Sequence, residues 1–147
     1  MSRPILFLDV DGVLNRSATA YGRMQAVLVQ RLHDLVIATG CEIVVSSGWR
    51  LGGIERGSDF YRHLERIPGG ETILSRVIGR TGSSDLGRAV EILSWLEKER
   101  PGAHFAAVDD MDMSEQLGDR LVLCRSDEGL TEERAEALRV ALTRRSA

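Results

Sequence analysis

The chain predicts a single α/β domain built on a parallel sheet, and three observations predict it. Short, continuous apolar runs recur along the sequence, as expected for strands buried on both faces. Amphipathic helical patterns separate them, so strands alternate with helices. Three of the runs end in acids or hydroxyls, at the edge of an open parallel sheet where ligands bind.

The elements follow in order. Pro4 to Val10 (PILFLDV) reads as the first strand, closed by an acid. A polar, Gly-containing stretch leads into a helix through Thr39, with Leu28, Leu32, Leu35 and Val36 on one face and Gly40 as its stop. Glu42 to Ser46 (EIVVS) is the second strand. A loop with a short helix around Phe60 to Arg66 precedes a short third strand at Val77 and Ile78. A helix from Gly87 to Arg100 places Ala89, Ile92, Leu93 and Leu96 on one side and is punctuated by Pro101 and Gly102. His104 to Val108 and Arg120 to Cys124 supply strands four and five. Thr131 is a predicted N-cap for the last helix, with Glu132 and Glu133 in its first turn and Arg144 and Arg145 in its last, both complementing the helix dipole. The expected architecture is a Rossmann-like three-layer sandwich with a central five-stranded parallel sheet, one domain over residues 1–147.

Composition narrows the function. A chain of 147 residues that is 43% apolar and 28% charged can bury a core, which argues against wholesale disorder. The net charge is −3 and no block of Lys or Arg is long enough for a broad nucleic-acid face. Any nucleic acid would be held locally, at a phosphate. No apolar stretch approaches the roughly 20 residues needed to span a bilayer, and no secretion signal is visible, so a cytoplasmic protein without a membrane partner is expected. Cys41 and Cys124 lack metal-ligand spacing and read as buried free thiols.

The strand ends carry the chemistry. Asp9 and Asp11 follow strand one, Ser46 and Ser47 end strand two, and Asp109 and Asp110 end strand four. Alone, each pair is an ordinary turn former. On parallel strands they share one edge, where four carboxylates would repel one another without a cation. All-oxygen ligands suit a hard ion, with Mg²⁺ the leading candidate.

The segment DVDGVLN (Asp9 to Asn15) resembles the first motif of the haloacid-dehalogenase (HAD) superfamily. IVVSSGWR (Ile43 to Arg50) resembles the second and AAVDD (Ala106 to Asp110) the fourth. Together with an Arg followed by EIxxWL and a late GLT, the set is similar to the small HAD domains associated with RNA repair proteins. The resemblance implies a Mg²⁺-dependent phosphatase with Asp9 as nucleophile, forming an aspartyl-phosphate, and Asp11 as general acid and base. Asp9, Asp11 (through its carbonyl), Asp109 and Asp110 would hold the metal. Ser46, with Ser47 as a rival, would bind the transferring phosphoryl group, and Arg50 would grip substrate phosphate. Trp49 reads as packing. Arg88 is the positional match to the motif-three lysine, a departure from the commonest pattern, with an ordinary surface arginine as the alternative. Lys98, the sole lysine, reads as solvated.

About 35 residues separate Asp11 from Ser46, and a similar stretch separates Arg50 from Arg88. Neither has room for a large cap domain, so an open site for a phosphate on a macromolecule, such as an RNA or DNA end, is expected. A separate kinase or ligase chain is a candidate partner. Competing readings are a small-molecule or nucleotide phosphatase, a non-catalytic phosphate-binding domain, and a receiver-like signalling domain. The last would need a mid-chain phosphoacceptor and a lysine after the final strand, and neither is visible.

Overall fold

Five parallel strands organise the protein: β1 (Ile5–Leu8), β2 (Glu42–Val45), β3 (Val77–Arg80), β4 (Phe105–Asp109) and β5 (Leu121–Leu123). The computed structural model describes residues 3–17 and 23–144. The strand order is β3-β2-β1-β4-β5, with every neighbouring pair parallel. The chain builds outward on one side of β1 and then crosses to the other, which makes the β1/β4 junction the topological switch point. In open sheets of this kind the crevice for ligand lies there, beyond the carboxyl ends of the strands. Leu8 is opposite Val45 on one side and Val108 on the other, so Ser46, Asp9 and Asp109 emerge side by side.

Alternation along each strand assigns the layers. Leu6 and Leu8, Ile43 and Val45, and Ala106 and Val108 face a core closed by α1 (Ala26–Thr39), α2 (Asp59–Glu65), α3 (Gly70–Ser75) and α6 (Glu132–Thr143). Ile5, Phe7, Val44 and Ala107 face the opposite layer, where Ala89, Ile92 and Leu96 of α4 (Arg88–Glu99) and Leu117 of α5 (Ser114–Leu117) pack. This is the expected three-layer α/β sandwich, and among the described residues no cap domain is inserted. No described helix is long and apolar enough to cross a membrane. Both cysteines are free and buried, and burial pushes the Cys124 thiol up to about 12.

The differences from expectation are local. The short helix expected around Phe60 to Arg66 is α2, capped by Ser58. A second helix, α3, follows it, starting at Gly70, which fits so tightly against the Leu64 carbonyl that any side chain would collide with it. A 3-10 turn over Gly48–Gly52 and the short α5 were also not anticipated. Leu93 lies on the outer side of α4 and is 41% exposed, so the buried stripe is Ala89, Ile92 and Leu96 alone. Arg144 is the C-cap residue of α6, not part of its last turn, and pairs with Asp119 at 2.7 Å. Arg145 lies outside the described residues. Gly40 ends α1 in the left-handed conformation (φ 67°), as its position after Thr39 requires.

The Thr131 cap is present, its hydroxyl accepting from the Arg134 N–H at 3.1 Å. Thr131→Ala should lower stability by about 1 kcal/mol. Urea unfolding checks this: the midpoint should fall while the denaturant slope stays constant.

Candidate active site

Register alone brings the first acids together. The Asp9 N–H donates to the Val108 carbonyl and the Ser46 N–H to the Leu8 carbonyl, so the β-ladder continues one residue past the strands. Asp9 and Asp109 are thereby held next to each other with side chains only 5% and 1% exposed. Asp110 completes the group, with one carboxylate oxygen from each of the three within 4.8 Å of the others. Gly12 makes this possible. It has φ +84°, and a Cβ there would collide with the Asp110 carboxylate.

Arg88, the first residue of α4, supplies the cation. Its Nη1 donates to both oxygens of Asp109 at 3.0 Å and lies 3.5 Å from Asp9 Oδ1. Its guanidinium therefore faces the acid cluster and is not a solvated surface group. Burial works against the Arg88 charge, but the Asp109 and Asp9 carboxylates outweigh it and hold its pKa above the usual arginine value. The acids respond in the opposite sense. Burial first, then the neighbouring Asp109 charge, raise the Asp9 carboxyl to about 9 against the pull of Arg88, with Asp110 adding to the rise. Asp109 is also raised, by burial, although Arg88 and the Met111 N–H oppose it. One arginine does not neutralise this cluster.

The donor set therefore fits a divalent ion: three converging carboxylates, all oxygen, two buried and Asp110 half-buried, with one arginine beside them. It also fits a phosphoryl group. Ser46 Oγ is buried at the same edge and has no hydrogen-bond partner among the described residues. A buried hydroxyl without a partner is costly unless a ligand satisfies it.

The remaining expected residues are placed as follows. Asp11 is half-buried, outside the three-acid cluster, and its carboxylate accepts from Asn15 Nδ2 at 2.7 Å. Asn15 is fully buried and its own carbonyl oxygen accepts from the Gly12 N–H at 2.9 Å, which locks the turn carrying Asp11. The Ser47 hydroxyl accepts from the Trp49 N–H at 2.9 Å and caps the 3-10 turn. Arg50 is buried, with its donors directed to the carbonyls of Ser47, Thr81 and Gly82, the Ser83 hydroxyl and the Glu91 carboxylate. Trp49 packs against the core with its ring edge-on to His63, 4.9 Å between centroids. Lys98 is exposed on α4.

Sequence reasoning missed three residues. Asn15 closes the DVDGVLN segment, and its spacing four after Asp11 was the available signal. Glu91 lay within the EIxxWL pattern. Thr81 continues β3 beside Ser46, buried, with its hydroxyl also lacking a partner among the described residues, and no sequence pattern marks it.

Strand order 3-2-1-4-5 with an aspartate-led acid cluster at the switch point is the arrangement expected of a HAD-type domain. The family described as HAD domain in Swiss Army Knife RNA repair proteins matches residues 5–135, and the chain belongs to that family. No curated protein and no solved structure matches the chain.

The raised Asp9 carboxyl gives a pH prediction for the metal-free protein. Above the ordinary carboxylate pKa the unfolded chain has released this proton while the folded protein retains it. The folded state then binds more protons, so stability falls as pH rises from about 4 to about 9. Asp9→Asn, which cannot ionise, should gain melting temperature over the wild type progressively across that window in EDTA. A difference that stays constant with pH would contradict the assignment.

Proposed function

We propose that the protein is a Mg²⁺-dependent phosphatase that hydrolyses phosphate monoesters through an aspartyl-phosphate on Asp9, acting on phosphorylated nucleic acid ends. The observation that carries it is the convergence of Asp9, Asp109, Asp110 and Arg88 next to the unpartnered Ser46 hydroxyl.

Asp9, Asp109 and Asp110 would hold the ion, with the Asp11 carbonyl as a further ligand. When bound, it supplies positive charge that offsets the carboxylates and the phosphoryl oxygens. The chain's own residues do the rest. A carboxylate oxygen of Asp9 attacks phosphorus as the P–O ester bond breaks, and Asp11 gives its proton to the leaving oxygen. Asp11, now ionised, takes a proton from water as the water oxygen attacks phosphorus. The Asp9–phosphorus bond breaks, phosphate leaves, and both carboxyl groups return to their starting state. Arg88 and Ser46 would bind phosphoryl oxygens, the first by charge and the second by hydrogen bond. Asn15 orients Asp11.

Two features support a nucleic acid end as substrate. The carboxyl edge has no inserted domain over it among the described residues, so a phosphate on a long chain can reach Asp9. The family is described by its place in RNA repair proteins. A kinase or ligase acting on the same ends is the proposed partner.

Asp9→Asn should reduce Mg²⁺-dependent phosphate release by at least about 100-fold; turnover equal to wild type would remove the proposal. Asn15→Ala should lower kcat roughly 10- to 100-fold with little change in KM, because it frees the proton donor from its oriented position. For substrate, 3′- and 5′-phosphorylated oligonucleotides compared with mononucleotides and sugar phosphates decide the class. The expected result is higher kcat/KM on an oligonucleotide; preference for the small esters would reassign the protein as a small-molecule or nucleotide phosphatase.

A further inference from the structure

Arg50 and Glu91 form an ion pair almost closed to solvent, Nη2 to Oε1 at 3.4 Å, with side chains 8% and 9% exposed. Arg50 lies in the 3-10 turn that follows Ser46 and Ser47, and Glu91 lies three residues after Arg88, in the first turn of α4. A buried ion pair is weak evidence for stability, since desolvation of both charges offsets much of their attraction. This one needs another account.

Its hydrogen bonds supply that account. Arg50 Nε donates to the Thr81 carbonyl at 3.1 Å, Nη1 to Ser47 at 2.8 Å, and Nη2 to the Gly82 carbonyl and Ser83 hydroxyl at 3.5 and 3.4 Å. The second oxygen of Glu91 accepts from the Ser84 N–H at 2.9 Å. From Ser84 the chain of contacts runs on: its hydroxyl accepts from the Leu86 N–H at 3.0 Å and its carbonyl from the Gly87 N–H at 3.5 Å. The Gly87 carbonyl then accepts from the Glu91 N–H at 3.2 Å. Residues 81–87 are the whole connection from β3 to Arg88, and the pair fixes this loop at several points along its length.

We infer that Arg50 and Glu91 are positioning residues that set the loop 81–87, and through it the Arg88 guanidinium, against the acid cluster. This rests on the reading that Arg88 serves the phosphoryl site. The need is physical. Arg88 reaches both acids through Nη1 of a planar, rigid guanidinium, whose contacts depend on its angle, whereas a lysine acts as a mobile point charge. Placing arginine in this role therefore calls for a fixed backbone beneath it. The same Arg50 also ties Ser47, next to the unpartnered Ser46, to that loop, so the hydroxyl and the cation keep one spacing.

The test is a double-mutant cycle on the full chain, followed with p-nitrophenyl phosphate and Mg²⁺. Glu91→Gln keeps the volume and an acceptor for Ser84 but removes the charge facing Arg50. It should lower kcat roughly tenfold, as expected for a small misplacement of a reacting group. In an Arg88→Ala background it should change kcat by less than about twofold, because the group it positions is gone. Equal losses in both backgrounds would mean a purely structural role and overturn the inference. Arg50→Lys provides the same cycle if Glu91→Gln does not fold. If the wild type shows no turnover, the phosphatase reading fails, and the Arg88 Nε–Hε resonance, assigned by its loss in Arg88→Lys, decides the positioning role. It should shift or broaden in Glu91→Gln and Arg50→Lys, and an unchanged resonance overturns the inference.

Discussion

Two buried carboxylates, Asp9 and Asp109, emerge from adjacent parallel strands with one arginine between them, and the rest of the site depends on how that crowding is resolved. Removing a carboxylate from water is expensive unless it is paired and hydrogen-bonded. Arg88 pairs with both, but burial outweighs it and raises both carboxyls, with the Asp109 charge and then Asp110 adding to the rise at Asp9. Asp9, the proposed nucleophile, must be ionised to attack, and a divalent cation held by the same carboxylates would favour that form over the neutral one that burial favours.

Backbone and side chains together sustain this arrangement. The β1/β4 pairing fixes Asp9 against Asp109, Gly12 lets Asp110 close over the turn, and Asn15 secures the turn from inside. Apolar side chains on both faces of the sheet bury the strands that carry the acids, so the packing energy of two cores opposes the repulsion at their ends. On the other side of β1, a buried Arg50–Glu91 pair is hydrogen-bonded to the loop that leads into Arg88.

How much of this was legible in the sequence depended on whether a feature was periodic. The apolar runs ending at Asp9, Ser46 and Asp109 were readable because strand burial and the parallel switch point leave few other places for acids and hydroxyls. The cap at Thr131 and the stop at Gly40 were readable because they satisfy local backbone groups. In the segment from Gly48 to Ser75 only α2 was readable; the 3-10 turn and the six-residue α3, which buries just Gly70 and Ile73, are too short to show a period of their own. Leu93 misled for a related reason: it neighbours the buried Ile92 in sequence but turns away from it on the helix. The Arg50–Glu91 contact joins residues 41 positions apart, which no local pattern reports.

The two serines after β2 show how fine the remaining ambiguity was, and how geometry divides them. Both Ser46 and Ser47 are buried, and a match to the motif could slip by one residue. Ser46 still belongs to the ladder, its N–H bound to Leu8, and its hydroxyl emerges beside Asp9 without a partner among the described residues. Ser47 has already left the strand, and its hydroxyl is consumed in capping the turn that carries Trp49 and Arg50. A one-residue slip along an extended chain reverses the face of the side chain, so the two hydroxyls cannot exchange roles. Ser46 keeps a buried, unpartnered hydroxyl at the sheet edge, which supports its proposed role as donor to a phosphoryl oxygen, while Ser47 begins the turn through which Arg50 reaches the loop leading into Arg88.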